Sequence, residues 1–374
     1  MRNKFLAKKL AVLFLAAAMT VGTAACGGTD GNNSGDDERK SAESIKEDNK
    51  ASGDAADAKT DQDDSSEDSD SDKKTEYPLT ITTSGPDGKE YTTVYEKAPE
   101  KVVAVYQGSI ETLLALGLED HIVAAAGLDN EVPKDQKEAF SKVNYLDEFT
   151  PSKETVTMLE PDMIFSWVSY FGSDTLGDPQ EWIDKSTNVY INTDTAEDKN
   201  SLENEYNDIL NMGKIFDVQD RAEDIVDDMK DTIEDAKEKA SAAGEKPTVQ
   251  VIESTKDSFT NYGADDLAGD MVTQLGGELA NPDASSVGKE DLIAANPDVI
   301  FVVYMPYTGD DPETVKQENL DKVMKDATLA SLDAVKNNRV VPIMLSEMYA
   351  SATRTQDGIE TIAKGLYPEI DLGE

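Results

Sequence analysis

The sequence predicts an α/β protein with two lobes of related design, each built on a parallel sheet, with one long helix joining the lobes and a cleft between them. Three observations lead to this fold class: a unit that occurs once near residue 154 and again near residue 290, a strand-loop-helix pattern upstream of each copy, and a strand-free stretch between the two halves. Two similar α/β halves with a single helical connection form two lobes rather than one continuous sheet.

The repeated unit reads PSKETVTMLEPDMIF at residues 151–165 and VGKEDLIAANPDVIF at residues 287–301. In each copy a Lys-Glu pair begins a short helical pattern, and a proline ends it, because proline disfavours helix in the residue before it. An aspartate after the proline marks a turn, and the apolar run that follows is typical of a buried strand. The unit therefore predicts helix, turn and strand in both halves.

A second pattern stands upstream of each copy, at residues 101–117 and 248–277. Both segments begin with an apolar run, continue through a loop into a helical pattern and end at glycine, and Ser109 is placed to cap the first helix. Strands that alternate with helices pair in parallel, since each crossover returns the chain in the same direction. Each half is therefore expected to form its own parallel sheet.

The stretch between the halves, residues 201–244, carries no strand pattern. In its second part apolar residues recur at intervals of three and four, which predicts an amphipathic helix that ends at Gly244. Such a helix reaches roughly 35 Å, enough to run along both lobes and connect them. We therefore predict an amino-terminal lobe over 77–200, connecting helices over 201–244 and a carboxyl-terminal lobe over 245–374.

The amino terminus has the pattern of an export signal over residues 1–25, with a basic start, an apolar run and small residues before Cys26. Those small residues and the single cysteine resemble a bacterial lipobox, so Cys26 is expected to become the lipidated first residue. Residues 26–76 are acidic and almost free of apolar side chains, and such a segment stays disordered and extended. We expect a protein anchored by lipid to the extracytoplasmic face of the cell membrane, as in a Gram-positive bacterium.

Charge and residue counts argue against several kinds of partner. The formal net charge is −42 at pH 7, which argues against nucleic acid and against adsorption to anionic lipid, so the lipid anchor is the expected contact with the membrane. One histidine and one cysteine give no His/Cys cluster, and we predict no metal-ligating residues and no resident cofactor. His121 lies in a helix-to-strand turn, where a structural or surface role is expected.

From about residue 77 to its end the chain resembles the iron-siderophore, haem and cobalamin class of ABC-transporter substrate-binding proteins. The resemblance rests on VYQGSIETLLALG at residues 105–117, the two repeated units, the connecting helix and a last helix that begins within SATRTQDGIETIAKGLYPE. Each mark is weak alone, and their order and spacing together are specific. The class implies two Rossmann-like lobes joined by one long helix, a small-molecule metal chelate bound in the cleft and no enzymatic activity; we expect a monomer.

The resemblance also assigns a role to the repeated unit. In this class a surface glutamate at the start of the helix before each Pro-Asp turn bridges to arginines on the two halves of the permease dimer, which works with its ATPase. Glu154 and Glu290 occupy the matching positions and are our predicted docking residues. The alternative is that each glutamate only stabilises the helix dipole, which explains either residue singly but the matched pair less well.

Ligand contacts are expected at the carboxyl ends of the strands, where the sheets face the cleft. The predicted contacts are aromatic or polar side chains that follow strands, with one arginine near the last helix: Tyr106, Gln107, Trp167, Tyr170, Tyr262, Tyr304, Tyr349 and Arg354. Aromatic side chains pack more often than they bind, but their clustering at strand ends favours a ligand surface. Arg354 is expected to pair with a carboxylate or catecholate oxygen, and its alternative is a salt bridge to an acidic neighbour.

We therefore expect capture of an iron chelate, a ferric siderophore first, and its delivery to an ABC permease. Haem stays open through iron ligation by Tyr106 or Tyr262, and a corrinoid stays open although the loop before Lys289 offers no aromatic side chain. The alternative of another class is a membrane-anchored hydrolase that uses paired carboxylates. The sequence has no GxSxG elbow and no histidine and cysteine set from which to build a triad, and the hydrolase leaves the repeated unit unexplained.

Overall fold

The computed structural model describes residues 74–369 apart from residues 174, 245 and 351. The predicted signal peptide, the lipidation site Cys26 and almost all of the predicted tether lie outside the described residues. Within the part of the chain that is described, no helix combines the length and the apolar character needed to cross a membrane.

The described chain begins with contacts to a later part of the molecule. The amide nitrogen of Thr75 donates to Asp217 Oδ1 at 2.6 Å, and its hydroxyl donates to the Lys214 carbonyl oxygen at 2.6 Å. The chain is therefore held from Thr75 onward, just inside the segment assigned to the tether. An antiparallel hairpin follows, formed by β1 (Leu79–Ser84) and β2 (Glu90–Tyr95).

The first lobe is built on a four-stranded sheet in which all neighbouring strands run parallel, which confirms the prediction. Its central strands are buried on both faces, as expected for a sheet covered by helices on both sides. The strands are β3 (Val102–Val105), β4 (Ile122–Ala126), β5 (Met163–Ser166) and β6 (Asn188–Ile191), in the order β4-β3-β5-β6. The helices are α1 (Gln107–Ala115), α2 (Lys137–Phe140), α3 (Lys153–Met158) and α4 (Pro179–Ile183).

The connecting segment forms two helices, α5 (Leu202–Phe216) and α6 (Gln219–Ala243). Helix α6 has 25 residues, a length of about 37 Å, and it ends at Gly244 in the left-handed conformation with a φ of 70°, where its end is predicted. Its predicted apolar face is buried, and the buried residues are Ala222, Val226, Met229, Ile233, Ala236 and Ala240. They belong to one apolar core that also contains strand residues of both sheets, so α6 packs against both lobes.

The second lobe is built on a six-stranded sheet in the order β10-β8-β7-β11-β12, with β9 beside β7. These strands are β7 (Thr248–Ser254), β8 (Phe259–Asn261), β9 (Glu278–Leu279), β10 (Ser286–Val287), β11 (Val299–Tyr304) and β12 (Val340–Met344). Strands β7, β11 and β12 pair in parallel, as predicted. The helices are α7 (Leu267–Gln274), α8 (Lys289–Ala295), α9 (Pro312–Met324), α10 (Asp333–Lys336) and α11 (Thr355–Leu366).

The second sheet is mixed rather than wholly parallel, because β8 and β10 run antiparallel to their neighbours. A tight turn after β7 causes the reversal: Thr255 donates from its amide nitrogen at 3.0 Å and from its hydroxyl at 2.8 Å to the Ser258 carbonyl oxygen. The segment between β7 and α7, predicted as a loop, therefore folds back onto the sheet as β8. A three-residue strand is too short to show a strand period in the sequence.

Both copies of the repeated unit fold in the same way, as helix α3 before β5 and helix α8 before β11. The Asp162 carboxylate accepts hydrogen bonds from the backbone nitrogens of Glu100 and Lys101, at 2.8 and 2.9 Å, just before β3 begins. The Asp298 carboxylate accepts from the backbone nitrogen of Thr248 at 2.8 Å, where β7 begins. The aspartate of each unit thus fixes the start of the neighbouring strand, which gives the Pro-Asp turn its structural role.

Candidate ligand-binding cleft

The predicted ligand contacts that follow parallel strands lie at one edge of each sheet, because parallel strands end at the same edge. Tyr262 instead follows the antiparallel strand β8, and its backbone nitrogen donates to the Val251 carbonyl oxygen at 3.0 Å. Tyr106 follows β3, Trp167 follows β5, and Tyr304 is the last residue of β11. Side chains from the two lobes meet at these edges, since the rings of Trp167 and Tyr349 lie 5.8 Å apart between centroids. The carboxyl ends of the two sheets therefore face each other across a cleft, as the fold class implies.

Polar contacts also cross the cleft. The backbone nitrogen of Thr308 donates to the Asp129 carbonyl oxygen at 2.8 Å. Next to it, Asn130 Nδ2 lies 3.5 Å from Met305 Sδ of the other lobe. The side-chain oxygen of Asn130 is buried and has no hydrogen-bond partner among the described residues. The loop after β4 is therefore one part of the first lobe that contacts the second lobe through polar groups, and it contains an unused buried acceptor.

Four of the predicted contacts form an aromatic cluster, defined here as Tyr106, Trp167, Tyr170 and Tyr349. The Tyr106 ring lies 3.9 Å from the Trp167 ring and 5.7 Å from the Tyr170 ring, measured between centroids. Tyr170 is buried, Tyr106 and Trp167 are half-buried, and Tyr349 is exposed. The indole nitrogen of Trp167 is buried and has no acceptor among the described residues. The cluster thus combines a partly accessible ring surface with one unused hydrogen-bond donor.

Tyr106 has an unusual backbone conformation at the start of α1, with a φ of 82° and a ψ of 159°. Side chains other than glycine rarely adopt a positive φ, and residues held in this way are frequent at functional sites. The Tyr106 hydroxyl donates to the Asp129 carboxylate. Burial first, and then the Asp129 charge, raise the pKa of Tyr106; burial also raises the pKa of Asp129, and the Tyr106 hydrogen bond opposes that rise.

The tyrosines of the second lobe are also close to carboxylates. The Tyr262 hydroxyl donates to Glu253 Oε2 at 2.8 Å, and Tyr262 is buried. Burial, with smaller contributions from two glutamate charges, raises the pKa of Tyr304 to about 12. The side chain of Tyr307 is exposed. Partial burial is the largest cause that raises its pKa, and the charges of Asp129 from the first lobe and Glu253 from the second are the next largest. The cleft therefore presents phenols and carboxylates together.

Gln107 is buried and makes hydrogen bonds within the first lobe. Its side-chain oxygen accepts from the backbone nitrogens of Asp129 and Asn130 at 3.0 and 3.3 Å, and its side-chain nitrogen donates to Glu111 Oε1 at 2.5 Å. These bonds hold the loop after β4 against α1. Gln107 therefore positions the loop that carries Asp129, and a direct ligand contact by Gln107 stays a prediction.

Arg354 forms a two-point ion pair with Glu111 of the other lobe. Its Nε donates to Glu111 Oε2 and its Nη2 to Glu111 Oε1, both at 2.6 Å, and the two side chains are only 8% and 0% exposed. Burial raises the pKa of the Glu111 carboxyl, and the Arg354 guanidinium opposes the rise. A further bond runs to the Glu131 carbonyl oxygen at 2.7 Å. The geometry favours the salt-bridge alternative, and a ligand contact by Arg354 stays a prediction.

The sequence reasoning missed the three carboxylates that the predicted residues bind: Glu111, Asp129 and Glu253. Glu111 left a signal, because it is the single charge in the apolar helical pattern SIETLLALG and therefore needs a buried partner. Asp129 follows β4 closely, and Glu253 lies near the end of β7. Acidic side chains near strand ends could be selected by position in the same way as the aromatic ones. This chain has 77 acidic residues, however, so position alone does not single out the three that border the cleft.

Glu154 and Glu290 are both exposed, and each lies in the first turn of its helix, α3 or α8. Each helix runs antiparallel to the strand that follows it, so its first turn lies toward the carboxyl edge of its sheet. The two glutamates thus occupy equivalent places on the two lobes, toward the edges that border the cleft. Their role in docking stays a prediction.

The lysines of the two units are paired within their own lobes. Lys153 forms an ion pair with Glu181 of α4, and Lys289 forms one with Asp326, which follows α9, at 2.5 Å. The lysine of each unit therefore binds the next helical segment of its lobe, while the glutamate beside it faces solvent. The two units therefore resemble each other in their ion pairs as well as in their sequence.

Other features of the molecule lie away from the cleft. A groove of about 500 Å³ between α5, α6 and α7 is lined by Tyr206, Lys230, Lys237 and Asp270, among others. The His121 ring packs against Phe216 at 5.4 Å, which agrees with the structural role expected for it. Within the described residues, no group of three or more histidine, cysteine, aspartate or glutamate side chains is placed to hold a metal ion.

The chain is similar to known proteins over both lobes. The family model described as periplasmic binding protein matches residues 102–344, from β3 to β12. The chain is 25% identical over 308 residues to YvrC of Bacillus subtilis (strain 168), an ABC transporter substrate-binding lipoprotein, covering 81% of this chain and 90% of YvrC. It is also 25% identical over 262 residues to the petrobactin-binding protein YclQ of the same organism, covering 68% of this chain and 78% of YclQ.

Among solved structures, a periplasmic binding protein from Veillonella parvula DSM 2008 superposes with a TM-score of 0.73 and 30% identity, over 79% of this chain and 93% of that protein. The family model's range, from β3 to β12, includes strands of both sheets and the connecting helices. The chain belongs to the periplasmic binding protein family, as a substrate-binding protein of the ABC-transporter class rather than an enzyme.

Proposed function

We propose that this protein is anchored outside the cell membrane through Cys26, captures a ferric siderophore in the cleft and delivers it to an ABC permease dimer. The observation that carries the proposal is the aromatic cluster at the strand ends, with the Trp167 indole nitrogen buried and unpaired among the described residues. Rings accommodate the apolar body of a chelate, and a buried N–H donor suits one of its oxygen atoms. The petrobactin-binding relative supports a chelate as ligand.

Haem and corrinoids are the alternatives within the same class, and the tyrosine chemistry bears on haem. Iron ligation by tyrosine uses the deprotonated phenol. The hydroxyls of Tyr106 and Tyr262 donate to Asp129 and Glu253, and burial together with these carboxylates raises the pKa of both tyrosines. Both phenols are thereby held in the protonated form. This favours a ligand that brings its own iron-binding oxygens, such as a siderophore.

Delivery is assigned to Glu154 and Glu290, whose equivalent exposed positions support docking on a permease with two like halves. Charged residues that meet complementary charges across an interface fix the register of two proteins. A permease dimer presents two equivalent surfaces, and one glutamate at an equivalent position on each lobe can contact both of them.

Tryptophan fluorescence tests the ligand class. Trp167 is half-buried in the aromatic cluster, whereas Trp182 is 3% exposed and donates to the Leu176 carbonyl oxygen at 2.6 Å. We expect saturable quenching on addition of ferric siderophores and loss of most of that quenching in Trp167→Phe, with the iron-free chelators as controls. Haemin and cyanocobalamin complete the panel, and quenching by either of these instead of the ferric chelates would select that alternative. Unchanged emission and no heat of binding across the whole panel would contradict the proposed ligand class.

A further inference from the structure

Carboxylates approach the cleft from both lobes. Asp129, in the loop after β4, accepts a hydrogen bond from the Tyr106 hydroxyl. Glu253, near the end of β7, accepts one from the Tyr262 hydroxyl at 2.8 Å. The Asp129 carbonyl oxygen accepts at 2.8 Å from the backbone nitrogen of Thr308, the residue after Tyr307, and Glu253 pairs in register with Val303 near the carboxyl end of β11. Both carboxylates therefore border the cleft, and after burial both raise the pKa of the exposed Tyr307. Any ligand that contacts this tyrosine is therefore within the field of two carboxylates.

The Arg354 guanidinium does not neutralise the charges of Asp129 and Glu253. Arg354 is bound at two points by Glu111, which is itself completely buried, so this pair contributes little net charge to the cleft. Two further carboxyl groups belong to this region. The Asp266 charge, after burial, raises the pKa of Tyr349, and Glu347 lies two residues before Tyr349, between β12 and α11. Burial, followed by the Asp357 charge, raises the pKa of Glu347 to about 7. Glu347 therefore carries only part of a negative charge near pH 7, and the negative charge at the cleft comes mainly from Asp129, Glu253 and Asp266.

Two neutral features of the cleft also suit a positively charged ligand. The faces of tyrosine and tryptophan rings are electron-rich and attract ammonium groups, and the aromatic cluster supplies such faces from both lobes. Asn130 is 8% exposed, and its side-chain oxygen is a buried acceptor without a partner among the described residues. An N–H donor of a ligand would satisfy it, and leaving such an acceptor unpaired is costly.

We infer that the cleft selects a chelate that carries a positive charge, such as a protonated amine, over chelates of neutral or negative charge. The inference rests on the proposed function and narrows it: hydroxamate-type chelates with a free amine fit, whereas ferric catecholates and polycarboxylates, which are anionic, do not. An anionic chelate placed between Asp129 and Glu253 is repelled in a site with little water to screen the charges. The inference places the cationic group of the ligand near Asp129 and Glu253.

A matched series of ligands isolates the charge. Ferrioxamine B carries a protonated amine, its N-acetyl derivative is neutral at that position and its N-succinyl derivative is negative, while the hydroxamate iron centre is the same in all three. We expect affinity, measured by calorimetry at low salt, to fall about tenfold at each step along the series. Equal affinities, or tightest binding of the succinyl form, would overturn the inference.

Matched variants locate the effect within the cleft. Glu253→Gln and Asp129→Asn each remove one cleft charge at constant size, and each should reduce the preference for ferrioxamine B over its succinyl derivative about tenfold. Glu318→Gln removes the same charge from the exposed face of α9 and should leave the preference unchanged. An unchanged preference in both cleft variants, or an equal loss in Glu318→Gln, would assign the selectivity to the overall acidity of the protein and overturn the inference.

The same measurements separate this inference from the proposed function. If anionic ferric enterobactin binds and none of the three ferrioxamines does, the protein binds siderophores and the charge inference is wrong. If no ferric chelate of any charge binds, the proposed function itself fails.

Discussion

The two lobes are alike where they carry the repeated unit and unlike where they face each other. In both lobes the glutamate of the unit is exposed, the neighbouring lysine is paired within its own lobe, and the aspartate holds the start of the adjacent strand. At the cleft, the first lobe packs the tilted rings of Tyr106 and Trp167 together, with their centroids 3.9 Å apart. The first lobe contributes three of the four rings of the aromatic cluster and the second lobe contributes only Tyr349. Both lobes place a tyrosine hydroxyl beside a carboxylate, Tyr106 beside Asp129 and Tyr262 beside Glu253.

This contrast separates two kinds of requirement. A permease dimer with two like halves requires like residues on the two lobes, whereas a small ligand without symmetry is bound best by two different surfaces. The repeated unit therefore belongs to the first requirement and the aromatic cluster with its carboxylates to the second.

The largest effect on stability is expected at the ion pair between the unlike faces. Arg354→Ala leaves the completely buried Glu111 carboxyl without its partner, and the free energy of unfolding should fall by about 3–5 kcal/mol in chemical denaturation. The double variant with methionine at both positions should be more stable than either single variant, because no charge is then left buried alone. If Arg354→Ala retains parental stability and loses only chelate affinity, Arg354 is the ligand contact first expected from the sequence.

The lobes also differ where they join the connecting helices, since three acidic side chains are buried on the side of the first lobe. Burial is the largest cause that raises the pKa of Asp194 and of Asp208, each to about 6, and that raises the pKa of Glu205 well above its usual range. Groups with a raised folded-state pKa stabilise the fold fully below their unfolded-state pKa, and that contribution is lost as pH rises through the folded-state value. Stability should therefore fall between about pH 4 and pH 7.

Glu205→Gln tests that pH dependence, because glutamine keeps a donor toward Asp194 and an acceptor for the backbone nitrogen of Ala352. The parent protein should lose about 2–3 kcal/mol of unfolding free energy between roughly pH 5 and pH 7.5. The variant should lose less and should be the more stable protein at the higher pH. Parallel pH profiles for the two proteins would show that Glu205 is not the group responsible.

The smallest effect on the free energy of unfolding is expected at the residue before the proline of each repeated unit. Glu160 and Asn296 both adopt a left-handed backbone, with φ of 49° and 42°. Asparagine tolerates this conformation better than glutamate, so Glu160→Asn should raise the free energy of unfolding by about 0.5–1 kcal/mol. The reverse change, Asn296→Glu, should lower it by more, because Asn296 also exchanges two hydrogen bonds with Asp333. Destabilisation by Glu160→Asn would show that the two turns are not equivalent.

The sequence predicts most of the framework because each part is encoded locally. The α6 face repeats at helical intervals up to Gly244, and the buried strands β5 and β11 directly follow the Pro-Asp turns. Strand β8 escapes prediction because its three residues pair through a turn at Thr255 and leave no periodic signal. A strand can be recognised in a single sequence when it has about four residues or more and a regular apolar pattern.

The site is less predictable, because its pairs join residues distant in sequence. Aromatic residues at strand ends could be selected by position, and Tyr106, Trp167, Tyr170 and Tyr349 do lie together. The partner of Arg354, in contrast, could not be chosen among 77 acidic residues without the fold. Tyr106 combines a positive φ with a backbone hydrogen bond to Ala126 of the neighbouring strand, and the residues next to Tyr106 in sequence do not reveal that long-range bond.

The most direct test of the contrast between the lobes measures docking and ligand binding on the same variants. Glu154→Ala, Glu290→Ala and their combination are compared with Glu203→Ala, which removes an exposed first-turn glutamate from α5, outside the repeated unit. The readouts are ferric chelate affinity and stimulation of the ATPase of the cognate transporter in proteoliposomes. Glu203→Ala reports the helix-dipole contribution alone.

The account predicts that all four proteins bind the chelate like the parent and that Glu203→Ala stimulates the ATPase normally. Each docking variant should stimulate it less, and the double variant least, because an arginine left unpaired in a desolvated interface costs about 2–5 kcal/mol. Normal stimulation by the double variant, or a loss in Glu203→Ala equal to that in the docking variants, would contradict the account and leave the repeated glutamates as helix starts only.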